Sequence, residues 1–464
     1  MSATITAVMK KIKSSPALIL LVKLLIVLAG AIAAVIALSR TPVIKNNIQN
    51  LSAFSLLITC LFFLAACAFL FNKKYDNFLT FAFILAAAAC LIIARSALFY
   101  YASGDYNSFL KGWIEQLKAA PGFSGLSKNI GNYNMPYLYI LFMISRIPYS
   151  GLFLIKAVSV AFDILLAYFA MKLVSLKTEN LYMHILAFLG TFAIPTVILN
   201  SAMWAQCDSI YVSLILGSLY FALKQKSIPC FALLGLAFSF KLQAIFIFPV
   251  ILFLLLQKKI KLSAVWAAFA SFLLTLMPAV LAGKPFKDTI SIYFKQTTYY
   301  SDLVKNAPSI YNLLGNISQL HFIAFAFYIA GAAALCLLFF AFKNKDKITA
   351  PKQYIELSYL FALMLPFLLP KMHDRYFYLA DALSLLVFLY NKKKWYIPLV
   401  TIFCSYICYT RFIMYEDYNV FPPKYLSLGL LIILILSLKD FILPLIEKKP
   451  AETSVPESGN NKVE

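Results

Sequence analysis

The amino-acid sequence predicts an all-α, polytopic membrane protein of about fourteen spans. Of its 464 residues, 62% are hydrophobic and 13% charged, with a mean hydropathy of +0.82. That is more apolar surface than a water-soluble core encloses. Apolar runs of membrane-crossing length recur along the whole chain. The formal net charge of +22 is dispersed through short lysine-bearing connections between those runs. This pattern marks cytoplasmic loops rather than a nucleic-acid surface. Among the cysteines, Cys60, Cys67, Cys90, Cys230, Cys336, Cys404 and Cys408 lie inside apolar runs and read as small membrane hydrophobes. Only Cys207 is near a helix mouth. No CxxC or Cys/His spacing points to a metal, and no disulfide framework is implied.

Lys10, Lys11 and Lys13 precede an apolar run at 17–38 that is too long for a signal-peptide core, so it reads as a retained first helix. Further spans are expected at 51–71, 78–100, 152–174, 181–200, 208–224, 228–240, 243–256, 262–282, 319–343, 355–369, 376–390, 395–412 and 424–446. The runs at 228–240 and 243–256 are short for crossing. They read as two spans divided at Lys241 and Gln243, with one broken helix as the alternative. With the N-terminus inside, the connections at Asn72-Lys73-Lys74, Lys177, Lys224-Gln225-Lys226, 257–261, 343–347 and 391–394 are cytoplasmic, short and basic. The long loops 101–151 and 283–318 then share the opposite face with 203–208, Lys241, 370–375 and the stretch after Arg411. Residues 136–148 are apolar, but as a span they would invert every later loop. They read as a juxtamembrane or re-entrant helix. The tail, 447–464, is expected to be disordered. No repeat relates two halves of the chain, and the asymmetric loops favour an enzyme over a transporter built on inverted repeats.

The stretch 101–136 is the most informative. Ser103-Gly104-Asp105-Tyr106-Asn107 places a carboxylate where an apolar run ends. Phe109, Leu110, Trp113 and Leu117 follow at helical spacing, which predicts a helix lying along the bilayer surface. A polar, glycine-bearing segment, 122–134, comes next. A carboxylate beside an in-plane helix and an open loop suits a reaction site. Its plainer role is the N-cap of that helix, accepting from Asn107 or Ser108, and the two are compatible.

Lys371, His373, Asp374 and Arg375 crowd a second helix junction, where the cations suit a phosphate at headgroup depth. The alternative is a set of interfacial anchors. Gln206 and Asp208 lie at another junction, where Asp208 and Ser209 could simply cap the next helix. Lys241 is either an anchor or an anion contact. Asp163, deep in a span, is expected to pair with Lys156 or Arg95 in a structural role. His184 and His321 have no partner motif.

The motif Pro370-Lys371-Met372-His373-Asp374-Arg375-Tyr376 resembles the His-Glu-Lys/Arg motif of multispanning GT-C glycosyltransferases. In particular it resembles that of bacterial relatives of the GPI mannosyltransferase 2 group and of dolichyl-phosphate-glucose-dependent glucosyltransferases. Asp374 stands where Glu is more usual. Trp204-Ala205-Gln206-Cys207-Asp208-Ser209, Lys241-Leu242-Gln243 ahead of Phe248-Pro249, and Asn306-Ala307-Pro308-Ser309-Ile310-Tyr311-Asn312 resemble other segments of those proteins. The resemblance covers roughly 80–415. Residues 1–77 then form an N-terminal pair of helices preceding a catalytic domain at 78–446. In such enzymes the first long external loop carries the catalytic carboxylate, which maps onto Asp105.

The resemblance implies a polyprenyl-phosphate-sugar donor and transfer of a hexose of mannose or glucose type. The acceptor would be a cell-envelope glycan, glycolipid or protein at the outer face of the bacterial cytoplasmic membrane. Lys241, Lys371, His373 and Arg375 would hold the donor phosphate, with Asp105 as general base of an inverting displacement. Gln206, Asp208, Gln243, Asp374 and Tyr311 would contact donor or acceptor sugar, and Tyr293, Tyr299 and Tyr300 would suit stacking on sugar rings. This scheme requires no metal or cofactor. The competing classes are a lipid-linked oligosaccharide flippase or transporter and a polyprenyl-pyrophosphate-dependent polymerase or ligase.

Overall fold

A computed structural model of the chain describes residues 91, 94–95, 97–298, 302–314, 319–413 and 421–447. The expected spans at 17–38 and 51–71, most of that at 78–100, and the tail after Glu447 lie outside the described residues. So do Tyr299 and Tyr300.

The described chain is almost wholly helical. Its helices are α1 (Lys111–Ala119), α2 (Met135–Ser145), α3 (Gly151–Val174), α4 (Leu181–Phe192), α5 (Pro195–Ile198), α6 (Asp208–Leu223), α7 (Ser227–Phe240), α8 (Phe248–Leu256), α9 (Trp266–Leu281), α10 (Phe286–Thr298), α11 (Gln319–Lys343), α12 (Pro351–Leu368), α13 (Tyr378–Tyr390), α14 (Tyr396–Ile413) and α15 (Pro423–Ile446). Every apolar run expected from 152 onward falls on a helix. Five helices are long and apolar enough to cross a membrane, or six if the bent pair Leu181–Phe192 and Pro195–Met203 is one span.

Local chemistry sets the boundaries. Ser150 and Asn180 accept from the first free amides of α3 and α4. Pro195 cannot donate to the preceding turn, and the pair bends by 49° there. Lys241 is extended (φ −148°, ψ 137°) and separates α7 from a short 3-10 turn, Leu242–Ile247, that leads into α8. At Gly235, a Cβ would lie 2.1 Å from the Ala268 carbonyl oxygen, so α7 and α9 approach to a distance only glycine allows. In α1, Trp113 and Leu117 are buried beside Leu110, as the spacing predicts, whereas Phe109 stays exposed.

The basic connections meet at one end of the helices. Lys177 donates to the carbonyls of Leu389 and Tyr390 at 3.0 Å each. Gln257 donates to Lys345 and Ile348 carbonyls, and Tyr354 donates to Gln257 at 2.9 Å. Lys394 pairs with Glu356 at 2.9 Å and Asp440 at 3.2 Å. Loops 101–134 and 283–314 meet each other at the other end. There Lys284 donates to the Lys128 carbonyl (2.8 Å), and Gln296 reaches Asn132 and Asn134 (2.6 and 2.8 Å). The α12 helix alone, at ~1.5 Å per residue, separates the two ends by about 27 Å.

This two-ended arrangement sets the expected labelling of single cysteines placed in a cysteine-free background. With a membrane-impermeant maleimide, positions 118 and 287 should react in intact cells, and positions 261 and 393 only after permeabilisation. Reaction of all four from one side would overturn the arrangement.

Candidate functional site

Asp105 is aimed by a chain of buried polar contacts. Arg95 pairs with Asp163 at 3.3 Å, and Ser201 donates to the same carboxylate oxygen at 2.6 Å. Lys156 is not Asp163's partner. Its ammonium donates to the carbonyls of Leu98, Phe99 and Tyr101 at 2.8, 3.2 and 2.6 Å. That clamp tethers the backbone just ahead of Asp105. Ser103 then donates to the Trp204 carbonyl at 2.8 Å and accepts from the Tyr106 amide.

The Asp105 side chain caps nothing, which corrects the N-cap expectation. Its Oδ2 instead accepts from Trp204 Nε1 at 2.9 Å and from Gln206 Nε2 at 2.8 Å. Arg375 lies 3.8 Å from the same oxygen. Among the described residues, Oδ1 has no hydrogen-bond donor, and the side chain is 19% exposed. One oxygen is thus fixed and the other is open.

Trp204 and Gln206 converge on Asp105 across Ala205, whose φ of +62° is left-handed. That conformation costs about 1–2 kcal/mol for a residue with a Cβ. It is held by bonds from the Trp204 amide to the Leu199 carbonyl and from the Gln206 amide to the Asn200 carbonyl. Asn306 (+52°) and Lys371 (+61°) are left-handed too, and both flank this site. They bracket a two-residue parallel pairing, β1 (Val304–Lys305) with β2 (Met372–His373), in which Lys305 faces His373. The pairing carries the second long loop to the His373-Asp374-Arg375 junction.

Several assignments change in this setting. Gln206 is only 2% exposed. Its Oε1 accepts from Tyr133 at 2.8 Å and from Arg375, so it orients the site and has no face for a sugar. Asp208, 1% exposed, forms a 2.5 Å ion pair with Lys241 and accepts from Asn200 at 2.7 Å; it caps no helix. Lys241 is therefore a neutralised cation rather than a free phosphate contact. Burial alone would draw its ammonium down, but Asp208 outweighs that and holds it above its ordinary value.

His373 is not the cation expected. Burial first, then Arg375, Lys305 and Lys241, push its imidazole from 6.5 down to about 3. It is neutral at physiological pH. Asp374 is buried and accepts from Asn306 (2.8 Å) and from the Arg375 amide (2.7 Å), so it too lacks a sugar-facing surface. Burial raises its carboxyl from 3.8 to about 7, against the pull of Arg375. The Tyr311 ring is buried and its hydroxyl donates to the Leu368 carbonyl, which removes it as a sugar platform. Tyr293 stacks on Phe238 at 5.9 Å and donates to Ser239, so it is core. Gln243 bonds Tyr376 and, with Lys371, reaches the main cavity.

That cavity, of about 520 Å³, has two chemistries. Lys241, Lys371, His373 and Arg375 line it, and Phe238, Phe246 and Phe327 are among its apolar lining residues. A cavity so lined accommodates a phosphate joined to a hydrocarbon chain. Arg375 connects it to Asp105, with its guanidinium 5.0 Å from the Trp204 ring centre. No group of three or more metal-ligating side chains occurs among the described residues. Sequence reasoning missed Tyr133, Asn200 and the bond of Asn306 to Asp374. The last was within reach, because Asn306 opens a motif already singled out.

Comparison of the chain with protein-family models, with curated proteins and with solved structures finds no match.

The Asp208–Lys241 pair has a measurable signature. Lys241→Ala should destabilise the detergent-solubilised protein by about 3–5 kcal/mol by stranding a buried carboxylate. Combining Lys241→Met with Asp208→Asn should recover most of that. A double variant as unstable as the single one would refute the pairing as the cause.

Asp374 and His373 make opposed contributions to stability versus pH. Folded Asp374 keeps a proton that the unfolded chain releases above 3.8, so its contribution is full below 3.8 and fades as pH rises to about 7. Folded His373 stays neutral while its unfolded ring protonates below 6.5, so its contribution is full above 6.5 and is lost as pH falls toward about 3. Between these limits the two largely cancel. Melting temperature should rise with pH from 4 to 6.5 in Asp374→Asn and fall over that window in His373→Gln. Parallel profiles for both variants and the parent would contradict the two shifts.

Proposed function

We propose that this chain is an integral membrane glycosyltransferase of the GT-C type. It transfers a hexose from a polyprenyl-phosphate-sugar to a cell-envelope glycan, glycolipid or protein at the outer face of the bacterial cytoplasmic membrane. The observation that carries this reading is a junction. A cavity lined by both apolar and cationic side chains meets, through Arg375, a carboxylate with one oxygen fixed and one open. The GT-C resemblance of the segments around Trp204, Lys241, Asn306 and His373 points the same way.

The chemistry follows from those groups. The lipid chain lies along the apolar wall, and the phosphate faces Arg375 and Lys371. Lys241 contributes at longer range through its pair with Asp208. An acceptor hydroxyl oxygen attacks the anomeric carbon, and its proton passes to Asp105 Oδ1. The bond from that carbon to the phosphate oxygen breaks, and polyprenyl phosphate departs with the electron pair toward the Arg375 guanidinium. The configuration at the anomeric carbon inverts. Trp204 and Gln206 hold Oδ2 still while Oδ1 takes the proton. His373, neutral, contributes hydrogen bonding and shape rather than charge.

Asp105→Asn tests the assignment. Its amide oxygen can replace Oδ2 as acceptor for Trp204 and Gln206, so folding and binding of farnesyl phosphate should persist. Its amide nitrogen cannot accept a proton, so hexose transfer from a polyprenyl-phosphate-hexose should fall at least about a hundredfold. Transfer at the parental rate would remove Asp105 as the base. A flippase would bind the same donor without consuming it, so the appearance of free polyprenyl phosphate separates the two classes.

A further inference from the structure

A second cavity, of about 470 Å³, is bordered by the residues leading into Asp105. Ser103 and Gly104, the residues leading into Asp105, are in its wall, with nothing within 4 Å of where a Gly104 side chain would begin. Phe412, also in the wall, stacks on Trp204 at 4.6 Å, and Trp204 in turn donates to Asp105. Asp105 is thus linked to both cavities through different neighbours, to the first by Arg375 and to the second by Gly104 and, through Trp204, by Phe412.

The charged residues described in its wall, Lys305 and Arg411, are both cationic, and no carboxylate is among its described lining residues. Half-buried Arg411, in the last turn of α14, makes no hydrogen bond or ion pair to any described residue. The first cavity differs. There Lys241 is neutralised by Asp208, and Arg375 is shared with Gln206 and Asp105. With no counter-charge among the described residues, a half-buried guanidinium gives up hydration that an anionic ligand would replace. Arginine's planar fork matches a phosphate or carboxylate, and Lys305 adds a second positive charge in the same space.

We propose that this cavity binds an anionic group, phosphate or carboxylate, carried by the acceptor, and so selects acidic glycans over neutral ones. Calling the ligand an acceptor rests on the transferase reading of Asp105; the anion site itself does not. With the anion held by Arg411, the sugar bearing it projects past Gly104 toward Asp105 Oδ1.

The test uses the full chain in uncharged maltoside micelles, titrated calorimetrically with sn-glycerol 3-phosphate, with glycerol as the neutral control and farnesyl phosphate as the probe of the first cavity. Glycerol 3-phosphate should bind saturably and glycerol should not. Arg411→Ala should weaken glycerol 3-phosphate at least about tenfold and leave farnesyl phosphate unchanged, with Arg411→Lys recovering part of the loss. If Arg411→Ala does not fold, Arg411→Gln and Lys305→Gln carry the same comparison. Equal glycerol 3-phosphate affinity in the parent and these variants, or no saturable binding by the parent, would overturn the proposal. Loss of glycerol 3-phosphate binding in phosphatidylglycerol nanodiscs but not in phosphatidylcholine nanodiscs would assign the site to a lipid headgroup and overturn its acceptor role. Failure of the parent to bind farnesyl phosphate, with Arg411-dependent glycerol 3-phosphate binding intact, would refute the donor reading and leave the anion site standing.

Discussion

Three loops that are remote in sequence are joined through the side-chain amide of Gln206. Its nitrogen donates to Asp105, and its oxygen accepts from Tyr133 and Arg375. One planar group thus fixes the relative positions of the carboxylate, the polar segment after α1 and the cation of the 370–375 junction. A buried amide has few such bonds to give, and here they are committed to the three loops. The surroundings are arranged to keep it so. Ser159 donates to the Gln206 carbonyl at 2.7 Å, and left-handed Ala205 lets Trp204 and Gln206 reach one oxygen together. Groups ordered this firmly before any ligand arrives need little rearrangement during a reaction.

Charge is distributed with similar economy. Much of the charge around the two cavities is paired or suppressed. Asp208 and Lys241 satisfy one another, Asp374 is drawn toward its neutral form by burial, and His373 is neutral. Asp105 keeps an open oxygen, Arg375 and Lys371 line one cavity, and Arg411 and Lys305 line the other. Pairing the inner charges limits the field at the centre of the site.

The scaffold serves this arrangement by segregating its ends. Lysines at the far end bond helix carbonyls and carboxylates of neighbouring connections, which ties the helices there into one network. At the site end lysines also bond, Lys284 to the Lys128 carbonyl and Lys241 to Asp208. That end is held as well by neutral hydrogen bonds, by the two-residue pairing of β1 with β2, and by two buried cation clamps, Arg95–Asp163 and Lys156 on three carbonyls. Breaking either clamp would leave a buried charge without its partners, so both stabilise the loop that presents Asp105 only while they are complete.

The sequence by itself determined the described helices from 152 onward, their approximate bounds, a helix after Asp105 with Trp113 and Leu117 facing inward, and the sorting of basic connections to one end. Those features follow from local periodicity and from the cost of unpaired backbone polar groups in an apolar medium, both of which act within a few residues. It also nominated Asp105, Gln206, Asp208, Lys241 and the 371–375 cluster as one region. Only the tertiary structure decided what each of them does. Lys241 became a partner for Asp208, His373 lost its charge, Tyr311 turned into the core, and Asn306 reached Asp374 across 68 positions. Protonation and pairing depend on burial and on neighbours a few ångströms away, and those neighbours come from loops whose positions no local pattern in the chain specifies.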